Sequence, residues 1–142
     1  MKYLLDTNTL IYYFKGLGNV KERLLVCQPS EIVLSSVVYY ELQVGILKST
    51  SPQKRIAQLA ILKNQVSWVD FDEKSAISTA RLAENYAEAT AQIRVELERM
   101  GKPIGAYDVQ IAGMAMANDL ILVTHNTGEF GRVSGLKLED WF

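Results

Sequence analysis

The chain has 142 residues, 49% of them hydrophobic and 22% charged, with only 3 prolines. That is an ordinary globular composition and the length of one domain with a real core. A net charge of −1 and a pI near 5.8 exclude the strongly basic class that holds nucleic acid by bulk charge. The single cysteine, Cys27, excludes an internal disulfide or a thiolate metal cluster within one chain and suits a reducing, cytoplasmic setting.

Residues 2–5 predict a short buried strand, after which Thr7 or Asn8 caps a helix running to Lys15 and stopped by Gly16. The N-terminal MKYLLDTN turns polar too early for a signal peptide, and no apolar run reaches the length of a membrane span. Asn19–Cys27 predicts a second amphipathic helix with Val20, Leu24 and Cys27 on one face. Glu31–Ser36 predicts a strand, and Ser35 or Ser36 caps a helix to about Leu47. Ser51-Pro52 reads as a helix start with Ser51 as the cap, followed by Ile56, Leu59 and Leu62 at helical spacing. Val66–Phe71 predicts a strand. Asp72 then caps a long helix from Glu73, with a break near Thr90 before it continues towards Met100. Residues 101–105 are a loop, Ala106–Asn118 a helix rich in small residues, and Leu120–Thr124 a strand. A turn at Asn126-Thr127-Gly128 and an apolar Val133…Leu136…Leu138 segment complete the chain. Strands alternating with helices predict a single α/β domain over residues 1–142, with a mostly parallel sheet covered on both faces.

Three acids interrupt this pattern. Asp6 ends the apolar run Tyr3-Leu4-Leu5, Glu41 breaks into the apolar stretch that begins at Val37, and Asp108 opens the small-residue helix. Carboxylates on core-facing elements are costly unless neutralised, and several together raise one another's pKa values. A divalent cation removes both penalties. Each acid also has a simpler explanation: Asp6 as a helix cap, Asp108 as a favourable charge in a first turn, and Glu41 as half of a buried ion pair. Glu41 resists its alternative best, because Lys48 lies two turns away. Oxygen donors without cysteine or a histidine cluster suit Mg²⁺ or Mn²⁺, and the implied reaction is hydrolysis of a phosphodiester. In a parallel sheet such residues meet in the crevice at the carboxyl ends of the strands, where Asp6, Asp108 and Asn126 all fall.

Other chemistries fit less well. Gly16-Leu17-Gly18 begins like a dinucleotide fingerprint but has Lys21 where the third glycine belongs. A phosphatase or receiver-like use of Asp6 lacks the second acid expected at position 8, which is Asn8. His125 is the lone histidine and reads as a loop residue near the site rather than a base. A catalytically silent module binding RNA or protein is the remaining alternative.

Four segments carry a family resemblance: Leu4-Leu5-Asp6-Thr7-Asn8, Ser35 to Leu42, Pro103 to Ala112, and Leu122 to Phe130. In this order and spacing, and over essentially the whole length, the chain resembles PIN-domain proteins, and among them VapC-type toxin ribonucleases. The resemblance implies a three-layer α/β/α fold and an endoribonuclease dependent on Mg²⁺ or Mn²⁺, acting on tRNA or another structured RNA. It implies a metal site of Asp6, Glu41 and Asp108, a homodimer, and a VapB-like antitoxin. Many PIN domains carry an aspartate where this chain has Asn126, so Glu129 is a candidate fourth acid, with a solvated turn residue as its alternative. Thr7, Asn8 and Thr124 are candidates to orient water or a carboxylate, and Lys15, Lys48, Arg99 and Lys102 are candidate RNA contacts. Tyr12, Tyr13, Tyr39 and Tyr40 can stack bases, or bury in the core or a dimer face.

Overall fold

A computed structural model describes residues 1–69 and 80–142. Five parallel strands make one sheet in the order β3-β2-β1-β4-β5. β1 is Tyr3–Leu5, β2 Ile32–Ser35, β3 Ser67–Val69, β4 Ile121–Val123 and β5 Leu138–Glu139. The two central strands are apolar throughout, as strands covered on both faces must be. Leu4, Leu5, Leu122 and Val123 are all fully buried. β1 pairs with β2 on one side (Tyr3 with Ile32) and with β4 on the other (Leu5 with Val123). The connection order therefore reverses at β1 and β4, which opens a crevice beyond their carboxyl ends.

The helices follow the local chemistry closely. α1 (Thr7–Lys15) ends at Gly16, whose φ of 68° is the left-handed conformation glycine adopts freely. Its cap is Asp6 rather than Thr7 or Asn8: Asp6 is extended and accepts the Thr9 N–H, as a capping carboxylate does. α2 is Val20–Val26, and α3, Ser36–Lys48, is capped by the Ser35 hydroxyl, which accepts the Val38 N–H at 3.1 Å. α4 (Gln53–Gln65) starts one residue later than the Ser51-Pro52 pair suggests: Pro52 itself occupies the cap position, and Ile56 is exposed while Leu59 and Leu62 are buried.

α5 (Ala80–Arg99) runs unbroken past Thr90, against the break expected there, because it packs lengthwise on α6 (Ala106–Ala117). Gly113 of α6 makes that approach possible: a Cβ there would lie 1.9 Å from the Thr90 hydroxyl oxygen. The expected Asp72 cap, the start of its helix and the end of the third strand at Asp70 and Phe71 lie outside the described residues. The stretch after β4 is also more regular than a turn. Thr127–Phe130 forms a short helix, α7, which buries Phe130. No helix among the described residues is long and apolar enough to cross a membrane.

Candidate active site

Asp6 leaves β1 at the centre of the sheet and is only 5% exposed. Its backbone N–H donates to the Val123 carbonyl at 3.1 Å, which carries the β1–β4 pairing one residue beyond the strand. One carboxylate oxygen, Oδ1, accepts the Thr9 N–H at 2.8 Å, and the other, Oδ2, accepts the Thr124 hydroxyl at 2.5 Å. Thr124 is itself fully buried, and its oxygen accepts the Asn126 N–H at 3.0 Å. Because that oxygen accepts from an amide, its one proton is directed at Asp6, so the Thr124 hydroxyl is an oriented donor. Thr9 adds a further brace by donating its hydroxyl to the Val123 carbonyl at 3.0 Å. Burial pushes the Asp6 carboxyl above its usual range, against the lowering effect of these donors, and the charge of Asp140 adds to the rise.

Glu41 reaches the same region from α3. It does not sit on that helix's buried stripe, which is Val38, Leu42 and Ile46, but on its half-buried flank. The one-turn spacing of the stripe leaves position 41 beside the core, where a carboxylate is affordable. Its Oε2 accepts the Thr7 hydroxyl from the first turn of α1. Asp108, in the first turn of α6, is half-buried. Its carboxyl is pushed up to about 6 by burial first, then by the charges of Glu41, Glu129 and Asp6. Those three acids therefore lie within electrostatic reach of Asp108. Glu129, on α7, accepts the Asn126 side-chain amide at 2.8 Å.

Of the residues singled out from sequence, the structure thus groups Asp6, Glu41, Asp108, Asn126 and Glu129, with Thr7 and Thr124 bonded to two of the acids. Asn8 is exposed on the first turn of α1 and takes no part in these bonds. Lys15 lines a cleft of about 320 Å³ between α1, α3 and α4, shared with Glu41, Arg55 and the apolar Ile11, Leu42 and Leu59. Lys48, Arg99 and Lys102 are exposed at the ends of α3 and α5 and in the following loop. His125 pairs its Nδ1 with Asp140 at 2.9 Å, consistent with a loop residue beside the site. Sequence reasoning missed Thr9 and Asp140. The three-residue step from Asp6 to Thr9 is a capping spacing and was a legible signal; Asp140, 134 positions from Asp6 in the numbering, left none.

The donor set consists of carboxylate oxygens supported by hydroxyls and amides. The ion pairs among the described residues are Arg23–Glu139, Arg94–Glu98, His125–Asp140 and Lys137–Asp119, so none of the four clustered acids has a basic partner there. Oxygen donors with uncompensated negative charge fit a hard divalent ion. As placed, no three acidic, histidine or cysteine side chains among the described residues stand close enough to grip one ion. Asp6 and Glu41 each accept a threonine hydroxyl, from Thr124 and Thr7.

Comparison with known proteins gives a consistent pattern. The family model described as the PIN domain matches residues 3–136. The tRNA(fMet)-specific endonuclease VapC of Shigella flexneri is 38% identical over 142 residues, covering 99% of this chain and 98% of that protein. Among solved structures, VapBC2 from Rickettsia felis bound to a DNA fragment from its promoter superposes with a TM-score of 0.84 at 32% identity, covering 100% of both chains. DNA-bound VapBC from Salmonella typhimurium superposes at 0.83 with 35% identity, covering 100% of this chain and 99% of that one.

Proposed function

The chain belongs to the PIN-domain family, and from that premise we propose that it is a metal-dependent endoribonuclease, the toxin of a VapBC-type toxin–antitoxin pair. The observation that carries the reading is the gathering of Asp6, Glu41, Asp108 and Glu129 with no basic partner among the described residues, so that burial and the three neighbouring acids push the Asp108 carboxyl up to about 6. A group that shares its site only with like charges invites a cation, and acids shifted in this way collect at functional sites.

Asp6, Glu41 and Asp108 are the side chains that would hold Mg²⁺ or Mn²⁺, with Glu129 as a further carboxylate. When bound, such an ion supplies acidified water and neutralises charge on a scissile phosphate. The chain's own residues prepare the site. Thr124 and Thr9 lock both oxygens of Asp6 in one orientation, so little reorganisation remains when substrate arrives. Thr7 aims Glu41 from the neighbouring helix. Asn126 brings no charge of its own but steers two groups, Thr124 through its backbone N–H and Glu129 through its side-chain amide. The substrate is RNA, with tRNA the first candidate. The protein acts in the cytoplasm as a homodimer over its single domain, residues 1–142, and is silenced by a VapB-like antitoxin.

The test is cleavage of a transfer RNA pool with and without divalent ion. Loss of cleavage in EDTA, restored by Mg²⁺ or Mn²⁺, is expected. Metal-independent cleavage, or none under any condition, rejects the reading.

A further inference from the structure

Two pairs of exposed rings include residues that adjoin the site in sequence. Tyr40 and Tyr107 each immediately precede an acid, Glu41 and Asp108, and their rings meet at 5.6 Å and 55° across the junction of α3 and α6. They remain 51% and 43% exposed. His125 lies between Thr124 and Asn126 and stacks on Phe142 at 4.3 Å and 27°, with Tyr12 edge-on to both rings. Phe142 is 46% exposed yet firmly held. Its N–H donates to Asp140 at 2.9 Å and its carbonyl accepts from Asn19 at 3.4 Å. Gly18, at a φ of 62°, passes so close that a Cβ would lie 2.7 Å from the Phe142 Cα. Rings already fixed in place lose little freedom when a flat ligand lies on them.

We propose that these ring pairs are two nucleobase shelves. Bases on either side of the scissile phosphate stack on Tyr40–Tyr107 and on His125–Phe142, so the strand is splayed across the carboxylates. The inference rests on the ribonuclease reading and answers a difficulty within it. A chain of net charge −1 with a cluster of acids at its site repels phosphates, so it gains little of the counterion-release affinity that basic proteins enjoy. Stacking supplies affinity that needs no positive charge, and it accepts any base because every base has a π face. A duplex hides those faces, and a loop presents them.

The test uses the Asp6→Asn chain, expected to cut too slowly to deplete the ligand, and an RNA hairpin with 2-aminopurine in its loop. Binding should quench the fluorophore. Tyr40→Ala, Tyr107→Ala and Phe142→Ala should each weaken binding by about 5- to 150-fold and reduce the quench. Tyr40→Phe, which keeps the ring, should restore both. Melting curves of each variant separate lost stacking from lost fold, and the half-exposed Tyr40 and Tyr107 variants decide the matter if Phe142→Ala unfolds. Unchanged affinity and quench in folded alanine variants, or equal binding of a fully paired duplex, overturns the shelves. Cleavage of the same hairpin by the unaltered chain, run alongside, keeps the outcomes distinct: cutting with no alanine effect rejects the shelves alone, whereas no cutting rejects the enzyme as well.

Discussion

The acids at the carboxyl edge of β1 and the acids along the β4–β5 edge are the same chemical groups in opposite situations. Asp119 is bonded to Lys137 at 2.6 Å, and its carboxyl is held below the usual range by that ammonium. At Asp140 a burial penalty is outweighed by the Phe142 N–H and His125, and the carboxyl is again lowered. Glu139 accepts from both Arg23 and the Trp141 indole. Asp6 and Asp108, by contrast, are raised, and their partners are hydroxyls, amides or other acids. The first group behaves as structural acids do, each bonded to its own partners where it stands. The second has no basic partner among the described residues, the pattern that collects at functional sites.

That contrast can be broken by substitution. Asp6→Asn and Asp108→Asn should each cut the rate of RNA cleavage by about 10²–10³-fold, the usual cost of removing one preorganised electrostatic group, while circular dichroism shows an intact fold. Retained cleavage in both variants dissolves the distinction between the two sets of acids. Divalent ions should sharpen it: at about 100 times the dissociation constant, Mg²⁺ stabilises the chain by about 2.7 kcal/mol, or roughly 5–10 °C in melting temperature, and this response disappears in Asp6→Asn. A melting temperature indifferent to Mg²⁺ and Mn²⁺ counts against the site.

Thr124→Val, nearly isosteric, removes the donor to Asp6 Oδ2 and should lower cleavage or metal affinity by about 10–100-fold, read by steady-state kinetics and calorimetry. Acidity provides a gentler probe. In metal-free protein the raised Asp108 binds a proton in the folded chain at pH values where the unfolded chain has released it. Stability from this group is therefore complete below about pH 4 and is lost as pH rises through about 6. Melting in EDTA should show a decline of a few degrees over that window that Asp108→Asn flattens; an identical profile in the variant refutes the assignment. Lys137→Ala should do least. Solvent screens its exposed pair with Asp119, so thermal melting should barely move.

How much of this was legible depended on whether a signal was local. Asp6 could be found because it ends an apolar triplet, and Asp108 because it opens a helix of Ala, Gly and Met. Glu41 was found for a partly mistaken reason: it flanks the apolar stripe of α3 and does not interrupt it. The pairings that define the site were invisible. Thr7 meets Glu41 across 34 positions and Thr124 meets Asp6 across 118, and no periodicity encodes either contact. The unbroken α5 was missed for a similar reason, because the reward for continuing through Thr90 comes from Gly113 on another helix. The Ser51-Pro52 start was misplaced by one residue, within the ordinary fraying of a helix end.

The central place of β1 in the sheet has a consequence for how the protein comes into being. Its three residues are synthesised 118 positions ahead of Ile121–Val123, the strand that flanks them on one side. At usual rates of translation the N-terminal segment waits roughly 6–24 s for that neighbour. Until it arrives, Thr124 cannot brace Asp6, so a nascent chain carries Asp6, Glu41 and Asp108 and no assembled pocket. A growing copy therefore lacks an assembled site, and competence waits for the segment that supplies Thr124.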